Sequence, residues 1–335
     1  MSNIKDVAKL AGVSPSTVSR VLSGSAYVEE GTKTKVLQAV QALQYTPDAL
    51  ARGLRKGRAS TIGLMLPYKR GVFWPILIGD MEKAAKERGF SLVFGNSGAS
   101  VESEMQMLRT LGAQSVSGII CTTSRIDVER YATFQKESGI PVVVVNRNTN
   151  GMISSVSSDD EHMGYTMARY LLERGHRKIA CLLGDSHWDK VRDRFQGVRK
   201  AMEEYGNQEY TPYLYFDVTD IDATRKWARQ ILERNDPPTA FLSLVDQMSI
   251  GIHRALQEKG MRAPQDVSMI GVDNDFVIDY VLPDLTAYRF PQERIAEKCV
   301  DVLVDNIQGN RETAQIKIKG NIVERSSVKD LTVAR

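Results

Sequence analysis

Four Glu-x-Gly segments divide most of this 335-residue chain into similar units. Each segment lies at the end of a stretch in which apolar residues recur at helical spacing, and a run of apolar residues follows shortly after it. Glycine suits that place because it readily adopts the left-handed conformation that ends many helices. The four segments are residues 87–89, 137–139, 173–175 and 258–260. Their recurrence in both halves of the chain predicts two similar units in which helices alternate with strands.

The apolar runs between these helices are short and bounded by polar residues, as in buried parallel strands. The predicted strands are residues 61–66, 91–94, 118–121, 141–145, 178–183, 240–244 and 267–272. Helices are predicted between them, for example at 162–174 and 191–205. In doubly wound sheets a ligand binds outside the carboxyl ends of the strands, so two such units predict a cleft between two lobes.

The first 60 residues differ from the rest of the chain in charge. They hold nine Lys or Arg against four Asp or Glu, a net +5, whereas the whole chain has a net charge of only +3. The remainder is therefore slightly acidic. A basic module on a near-neutral body indicates local contact with a polyanion, and nucleic acid is the first candidate.

The same segment has the pattern of three short helices. Asn3 and Gly12 are suited to begin and end the first helix, and the pair Ser14-Pro15 is suited to begin the second. A third helix is predicted at 31–44. Two helices joined by a tight turn predict a helix-turn-helix, whose second helix enters the major groove. On these features alone, a small helical packing domain with a solvated basic face remains an alternative.

The sequence of these segments resembles the lactose-repressor/galactose-repressor (LacI/GalR) family of bacterial transcription regulators. In the head the matching segments are IKDVA (4–8), AGVS (11–14), TVSRVL (17–22), YTP (45–47) and ARGL (51–54). Further along they are PQDVS (264–268), IGVDN (270–274), PDLT (283–286) and VERSS (323–327). The resemblance therefore extends over essentially the whole chain.

This resemblance implies an all-α helix-turn-helix DNA-binding head joined to an α/β body. The head is residues 1–47, a hinge helix follows at 48–58, and the effector-binding and dimerisation body is 59–335. The body is expected to be two-lobed and like a periplasmic binding protein, with doubly wound parallel sheets. The expected lobes are discontinuous, the first at about 59–159 and 291–320, the second at about 160–290 and 321–335.

The resemblance also implies which residues contact DNA. Pro15, Ser16 and Arg20 match the recognition-helix positions that set operator preference. The helical spacing also predicts that Thr17 and Ser19 are exposed beside them. Arginine pairs bidentately with guanine. The implied phosphate contacts are Ser14 and Ser19, and the implied minor-groove residues of the hinge are Ala51, Leu54 and Arg55. A leucine wedge in the minor groove would unstack a base step and kink the duplex.

The effector-binding residues implied by the resemblance lie in the body. They are Phe73, Trp74, Asn146, Arg147, Arg194, Asp246 and Asp273. Asn146 departs from the aspartate that the family often has there. That exchange, with Arg147, Lys190 and Arg194 nearby in the pattern, slightly favours a sugar acid or sugar phosphate. Apart from the resemblance, a Phe-Trp pair belongs more often to a hydrophobic core than to a ligand site. Aspartates such as Asp246 and Asp273 often form surface ion pairs or helix caps.

The resulting interpretation is a homodimeric, cytoplasmic repressor of carbohydrate metabolism genes. It would bind palindromic operator DNA under allosteric control by a small sugar-like effector, which could weaken or strengthen DNA binding. No cofactor or metal is expected, and Cys121, Cys181 and Cys299 are expected to be reduced core thiols. The alternatives are a regulator responding to a nucleoside or purine, or to a phosphorylated carrier protein, and a sugar-binding transport receptor. An enzyme is not expected, because the four histidines match no catalytic motif.

Overall fold

A computed structural model of the chain describes residues 3–23, 27–45, 60–66, 73–98, 100–122, 126–184, 189–206, 213–216, 220–245, 248–273, 282, 284–310 and 312–333. The chain divides into two compact units, Met1–Thr61 and Ile62–Arg335. They correspond to a helical head and an α/β body, and each is described by itself.

The head consists of three helices around a small apolar core. The helices are α1 (Ile4–Ala11), α2 (Pro15–Ser23) and α3 (Glu30–Ala42). Asn3 and Asp6 form a reciprocal capping box at the start of α1, and Gly12 ends this helix in the left-handed conformation. Val7, Val18 and Val36, one from each helix, are fully buried together. The predicted caps of α1 are therefore confirmed, and α3 begins one residue earlier and ends two residues earlier than expected.

The body contains two six-stranded sheets. The strands of the first are β1 (Thr61–Leu66), β2 (Ser91–Asn96), β3 (Gly118–Cys121), β4 (Val142–Val145), β5 (Ser154–Ser158) and β11 (Gln315–Ile318), in the order β11-β5-β4-β3-β1-β2. Those of the second are β6 (Ile179–Gly184), β7 (Leu214–Phe216), β8 (Ala240–Ser243), β9 (Ser268–Asp273), β10 (Thr286–Arg289) and β12 (Asn321–Val323), in the order β12-β10-β9-β8-β6-β7. Strand β12 pairs antiparallel with β10, whereas β6, β8, β9 and β10 run parallel.

Eight helices of the described body cover these sheets. They are α4 (Phe73–Glu87), α5 (Val101–Ala113), α6 (Val128–Ser138), α7 (Asp160–Glu173), α8 (Asp189–Glu204), α9 (Ile221–Leu232), α10 (Met248–Glu258) and α11 (Gln292–Gln308). Gly89, Gly139, Gly175 and Gly260 all have positive φ, between 68° and 80°. The helix ends predicted from the Glu-x-Gly repeat are therefore confirmed. So is the predicted fold class, a helical head with a two-lobed α/β body of parallel sheets.

The chain passes between the two sheets three times. It leaves the first sheet after β5 to form α7, returns after β10 to form α11, and crosses once more between β11 and β12. Helix α11 packs its apolar side on the first sheet, where Cys299 and Leu303 join a core with Ile62 and Leu64. Each lobe is thus built from separate stretches of the chain.

The cysteines and His176 are buried structural residues. Cys121, Cys181 and Cys299 are free thiols without exposed surface, and burial raises the pKa of each. Each ring nitrogen of His176 has a partner: Nδ1 lies 2.9 Å from the Thr239 hydroxyl and Nε2 lies 3.0 Å from the Lys329 carbonyl. These bonds join the turn after α7 to the residue just before β8 and to the C-terminal segment. In the described ranges, no helix has an apolar stretch long enough to cross a membrane.

We expect the protein to lose stability as the pH falls below about 6.5, the ordinary pKa of histidine. Burial is the main reason why the pKa of His176 is lowered in the folded state, although the Lys329 carbonyl opposes the shift. The unfolded chain therefore takes up a proton at higher pH than the folded one, so the stabilisation present above that pH is lost on acidification. Urea unfolding at pH 7.5 and 5.5 measures the loss. It should be smaller in His176→Gln, which keeps an amide donor for Lys329 but does not titrate. An equal loss in both proteins would contradict the assignment.

Candidate functional site

Helix α2 presents a polar face on the head. Ser14, Pro15, Ser16 and Arg20 are exposed, whereas Thr17 and Ser19 are half-buried. The predicted exposure of Thr17 and Ser19 is therefore confirmed only in part. Ser14 caps the helix, since its hydroxyl lies 3.2 Å from the Thr17 amide nitrogen. The Ser14 hydroxyl also lies 2.7 Å from that of Ser16 and 2.9 Å from that of Thr17. Three hydroxyls therefore cluster at a helix N-terminus, where the backbone favours anions such as DNA phosphates.

The opposite face of α2 holds the helix in place. Val18 is fully buried in the head core, and Val21 and Leu22 pack against the same core. Ser16 and Arg20 are four residues apart and therefore lie on one side of the helix. The predicted hinge residues Ala51, Leu54 and Arg55 lie outside the described residues.

In the body, one predicted ligand residue ends a strand and another lies in the helix that follows a strand. Trp74 is in the first turn of α4, which follows β1; it is half-buried and packs against the core of the first lobe. This contact fits the core interpretation for Trp74. Asp273 is the last residue of β9. Asp246 and the side chains of Phe73 and Asp273 lie outside the described residues.

Asn146 and Arg147 lie just after β4, and each binds another segment of the first lobe. Asn146 has the left-handed φ of 54°, and its side-chain oxygen accepts a hydrogen bond from the Ser158 backbone amide at 3.1 Å. The Arg147 guanidinium donates to the Ile126 carbonyl in the loop after β3. These contacts tie the ends of neighbouring strands together at the edge of the first sheet.

Arg194 of α8 forms a buried ion pair with Asp160, the first residue of α7. The Nε atom of Arg194 lies 2.7 Å from Asp160 Oδ1, and the two side chains are only 10% and 7% exposed. Arg194 Nη1 donates to the Leu244 carbonyl, directly after β8, at 2.6 Å. Asp160 Oδ2 accepts from the Ser158 hydroxyl at 2.9 Å. Hydrogen bonds therefore run from Asn146 in the first lobe to Leu244 in the second.

Two glycines allow α7 and α8 to bring this ion pair together. A Cβ atom built on Gly164 would lie 1.9 Å from the Arg194 carbonyl oxygen, and one on Gly197 would lie 2.0 Å from that of Glu161. Both distances are far below van der Waals contact, so only glycine permits this backbone approach. The approach places Arg194 beside the first turn of α7, where a carboxylate is also favoured by the helix dipole.

Asp160 and Ser158 were not predicted as site residues. In sequence, Asp159 and Asp160 before an amphipathic stretch indicate a helix cap, and Asp159 does fill that role: its carboxylate accepts from the His162 amide at 3.0 Å. One cap needs only one carboxylate. Asp160, the second aspartate, is therefore not needed for the cap, and it lies next to the helix contact that the two glycines permit. This additional acidic residue is the feature of the sequence that could have indicated another role.

Comparisons with known proteins cover both units. The family described as bacterial regulatory proteins, lacI family, matches residues 3–48, and a periplasmic binding protein-like domain matches residues 168–328. The HTH-type transcriptional repressor PurR of Vibrio atlanticus (strain LGP32) is 34% identical over 335 residues, covering 99% of this chain and 100% of the relative. The repressor of the same name from Vibrio cholerae serotype O1 (strain M66-2) is 33% identical over 334 residues and covers 99% of each chain.

Solved structures agree with the fold over nearly the full length. The lac repressor dimer bound to operator and the anti-inducer ONPF has a TM-score of 0.85 at 26% identity, covering 98% of this chain and 99% of that one. The complex of the transcriptional regulator CelR with cellobiose has a TM-score of 0.71, also at 26% identity, covering 98% of this chain and 100% of that one. This chain therefore shares the fold of these proteins, which consists of a helical head and a two-lobed α/β body.

Proposed function

This chain belongs to the lacI family of bacterial regulatory proteins and is a DNA-binding transcriptional repressor, and we propose that it acts as a homodimer on a palindromic operator under the control of a small ligand. The observation that carries the proposal is the polar face of α2. Ser14, Ser16 and Arg20 are exposed there, while Val18 anchors the helix in a complete head core. A helix held in this way can enter the major groove without unfolding the head.

The dimer follows from how few base contacts one head can make. A single recognition helix offers three or four side chains to the bases, which specify only a short half-site. Two identical heads related by a two-fold axis would read a palindrome and double the contacts. The similar lac repressor structure contains a dimer bound to operator, which supports this proposal.

The proposed ligand site is the cleft at the carboxyl ends of the two sheets, near Arg194 and the end of β9. A small sugar is the first candidate, since the solved neighbour CelR is in complex with cellobiose. A nucleobase or nucleoside is the second, because the PurR relatives share more residues with this chain than that neighbour does. Both ligand types combine a flat or apolar face, which suits aromatic side chains, with several hydrogen-bonding groups. We propose binding without catalysis in this cleft.

The proposed control is allosteric, with ligand binding and operator binding coupled by about 1 to 3 kcal/mol. A thermal-shift screen of the purified protein with sugars, sugar acids, sugar phosphates and nucleosides would identify the ligand class, since a ligand stabilises the state that it binds. A ligand that alters operator binding by the purified protein alone would exclude an obligatory phosphorylated carrier protein. A ligand that binds the protein without any effect on operator binding would contradict the proposed control.

Arg20→Ala is expected to weaken binding to the selected operator by about 1 to 3 kcal/mol and to relax the sequence preference at one base pair. The operator would be selected from random duplex DNA with the wild-type protein, and fluorescence anisotropy would measure the affinity of each variant. Lys35→Ala, which removes an exposed cation on α3, is the matched control. It should reduce affinity by a similar factor for all sequences. An unchanged preference in Arg20→Ala would contradict base recognition by Arg20.

A further inference from the structure

The guanidinium of Arg194 is already partly occupied within the protein. Arginine usually binds a carboxylate or phosphate with two parallel N–H groups, either Nε with Nη2 or Nη1 with Nη2. Here Nε donates to Asp160 and Nη1 donates to the Leu244 carbonyl. In each of these two pairs, one nitrogen therefore already donates to the protein itself. Two of the five N–H groups are used in this way, and the other three, one on Nη1 and two on Nη2, make no hydrogen bond to the described residues.

Asp160 also cancels the charge of Arg194. The two side chains are buried together, and removing one partner of a buried ion pair leaves an uncompensated charge at high cost. Asp160 is held from the other side by the Ser158 hydroxyl and lies in the first turn of α7, so it cannot easily swing away. A ligand that reaches Nη2 would therefore meet a neutral pair and a nearby carboxylate.

We propose that Asp160 sets the charge preference of the ligand site: it makes Arg194 a hydrogen-bond donor without net charge, so that uncharged hydroxyl- or amide-bearing ligands are selected over carboxylates and phosphates. This inference rests on the proposed function in placing the ligand beside Arg194. It differs from the slight preference for an anionic ligand drawn from the sequence. Of the cations behind that preference, Arg147 is bound to the Ile126 carbonyl and Arg194 to Asp160, and Lys190 is at the surface.

Asp160→Asn tests the proposal, because asparagine keeps the shape and an acceptor for Arg194 but removes the negative charge. Inorganic phosphate is the probe, and its affinity for the full-length protein is measured by calorimetry. Asp160→Asn should bind phosphate at least about tenfold more tightly than wild type, through charge-assisted hydrogen bonds to Arg194. The gain should disappear in the double variant Asp160→Asn/Arg194→Gln. Ser158→Ala, which leaves the ion pair intact, should show no gain.

Two results would overturn the assignment. The first is an affinity for phosphate that is the same in the wild-type protein and in Asp160→Asn. The second is an increase in that affinity which persists when Arg194 is also replaced. If Asp160→Asn does not fold, the wild-type protein still decides the question by NMR. The Arg194 Nε resonance, assigned by its absence in Arg194→Lys, should not move on phosphate addition, and a movement would contradict the proposal.

Operator titrations of the same proteins keep this inference separate from the proposed function. Suppose that Asp160→Asn binds phosphate more tightly, but that no small ligand alters operator binding by the wild-type protein. These results would support the charge assignment and contradict the ligand control. Operator binding that a ligand controls, without tighter phosphate binding in Asp160→Asn, would support the ligand control and contradict the charge assignment.

Discussion

Gly197→Ala is expected to destabilise the body by about 3 kcal/mol. The added methyl would lie 2.0 Å from the Glu161 carbonyl oxygen and 2.6 Å from the Tyr165 backbone nitrogen. Both atoms belong to the backbone of α7, so no side chain can rotate away to make room. Helices α7 and α8 would have to separate, which would also draw Arg194 away from Asp160.

Gly79→Ala is the matched control for this effect. Gly79 lies inside α4, and a Cβ atom there would have no neighbour within 4 Å. Alanine is favoured over glycine within a helix by up to about 1 kcal/mol, so this variant should be slightly more stable than wild type. Urea unfolding monitored by circular dichroism gives both values. Equal midpoints for the two variants would show that the α7–α8 contact adjusts without cost, contrary to the geometry.

The buried strands could be predicted from the sequence because they are apolar along their whole length. Strands β1 and β3 have the predicted bounds, and β4, β6, β8 and β9 differ from them by a residue or two. The five strands that were not predicted individually are polar or short. Strand β5 reads Ser-Ser-Val-Ser-Ser, β11 reads Gln-Ile-Lys-Ile, β10 has four residues, and β7 and β12 have three residues each. Such segments are strands because neighbouring strands pair with them, and the local sequence does not reveal that pairing.

One part of the candidate site could also be predicted from the sequence, and another part could not. The polar face of α2 could be predicted because the spacing of Val18, Val21 and Leu22 fixes which side of the helix is buried. The ion pair between Asp160 and Arg194 could not, because it joins residues 34 positions apart through a helix contact that depends on two glycines. Asn146 illustrates the same limit: the sequence places it at the end of a strand, but its hydrogen bond to Ser158 depends on the pairing of β4 with β5.

Val18→Asp is expected to abolish operator binding by unfolding the head while the body stays folded. Val18 is fully buried among Val7 and Val36, and a carboxylate there would have to be desolvated or would expose the core to water. A core of this size provides only a few kcal/mol of stability, which such a burial exceeds. Hydrogen exchange followed by mass spectrometry should show lost protection in peptides from 4–42 and unchanged protection in 62–333, because the two units are compact separately.

Ser16→Asp separates recognition from folding on the same helix. Ser16 is exposed in the first turn of α2, where a carboxylate is favoured by the helix dipole, so the head should keep its protection from exchange. Operator binding should nevertheless be severely weakened, because the new charge would face the phosphates and base edges of the major groove. Loss of binding in both variants with loss of protection only in Val18→Asp would assign the exposed face of α2 to DNA. Normal operator binding by Ser16→Asp would instead mean that this face does not enter the groove, and the head would then have to bind DNA through another surface.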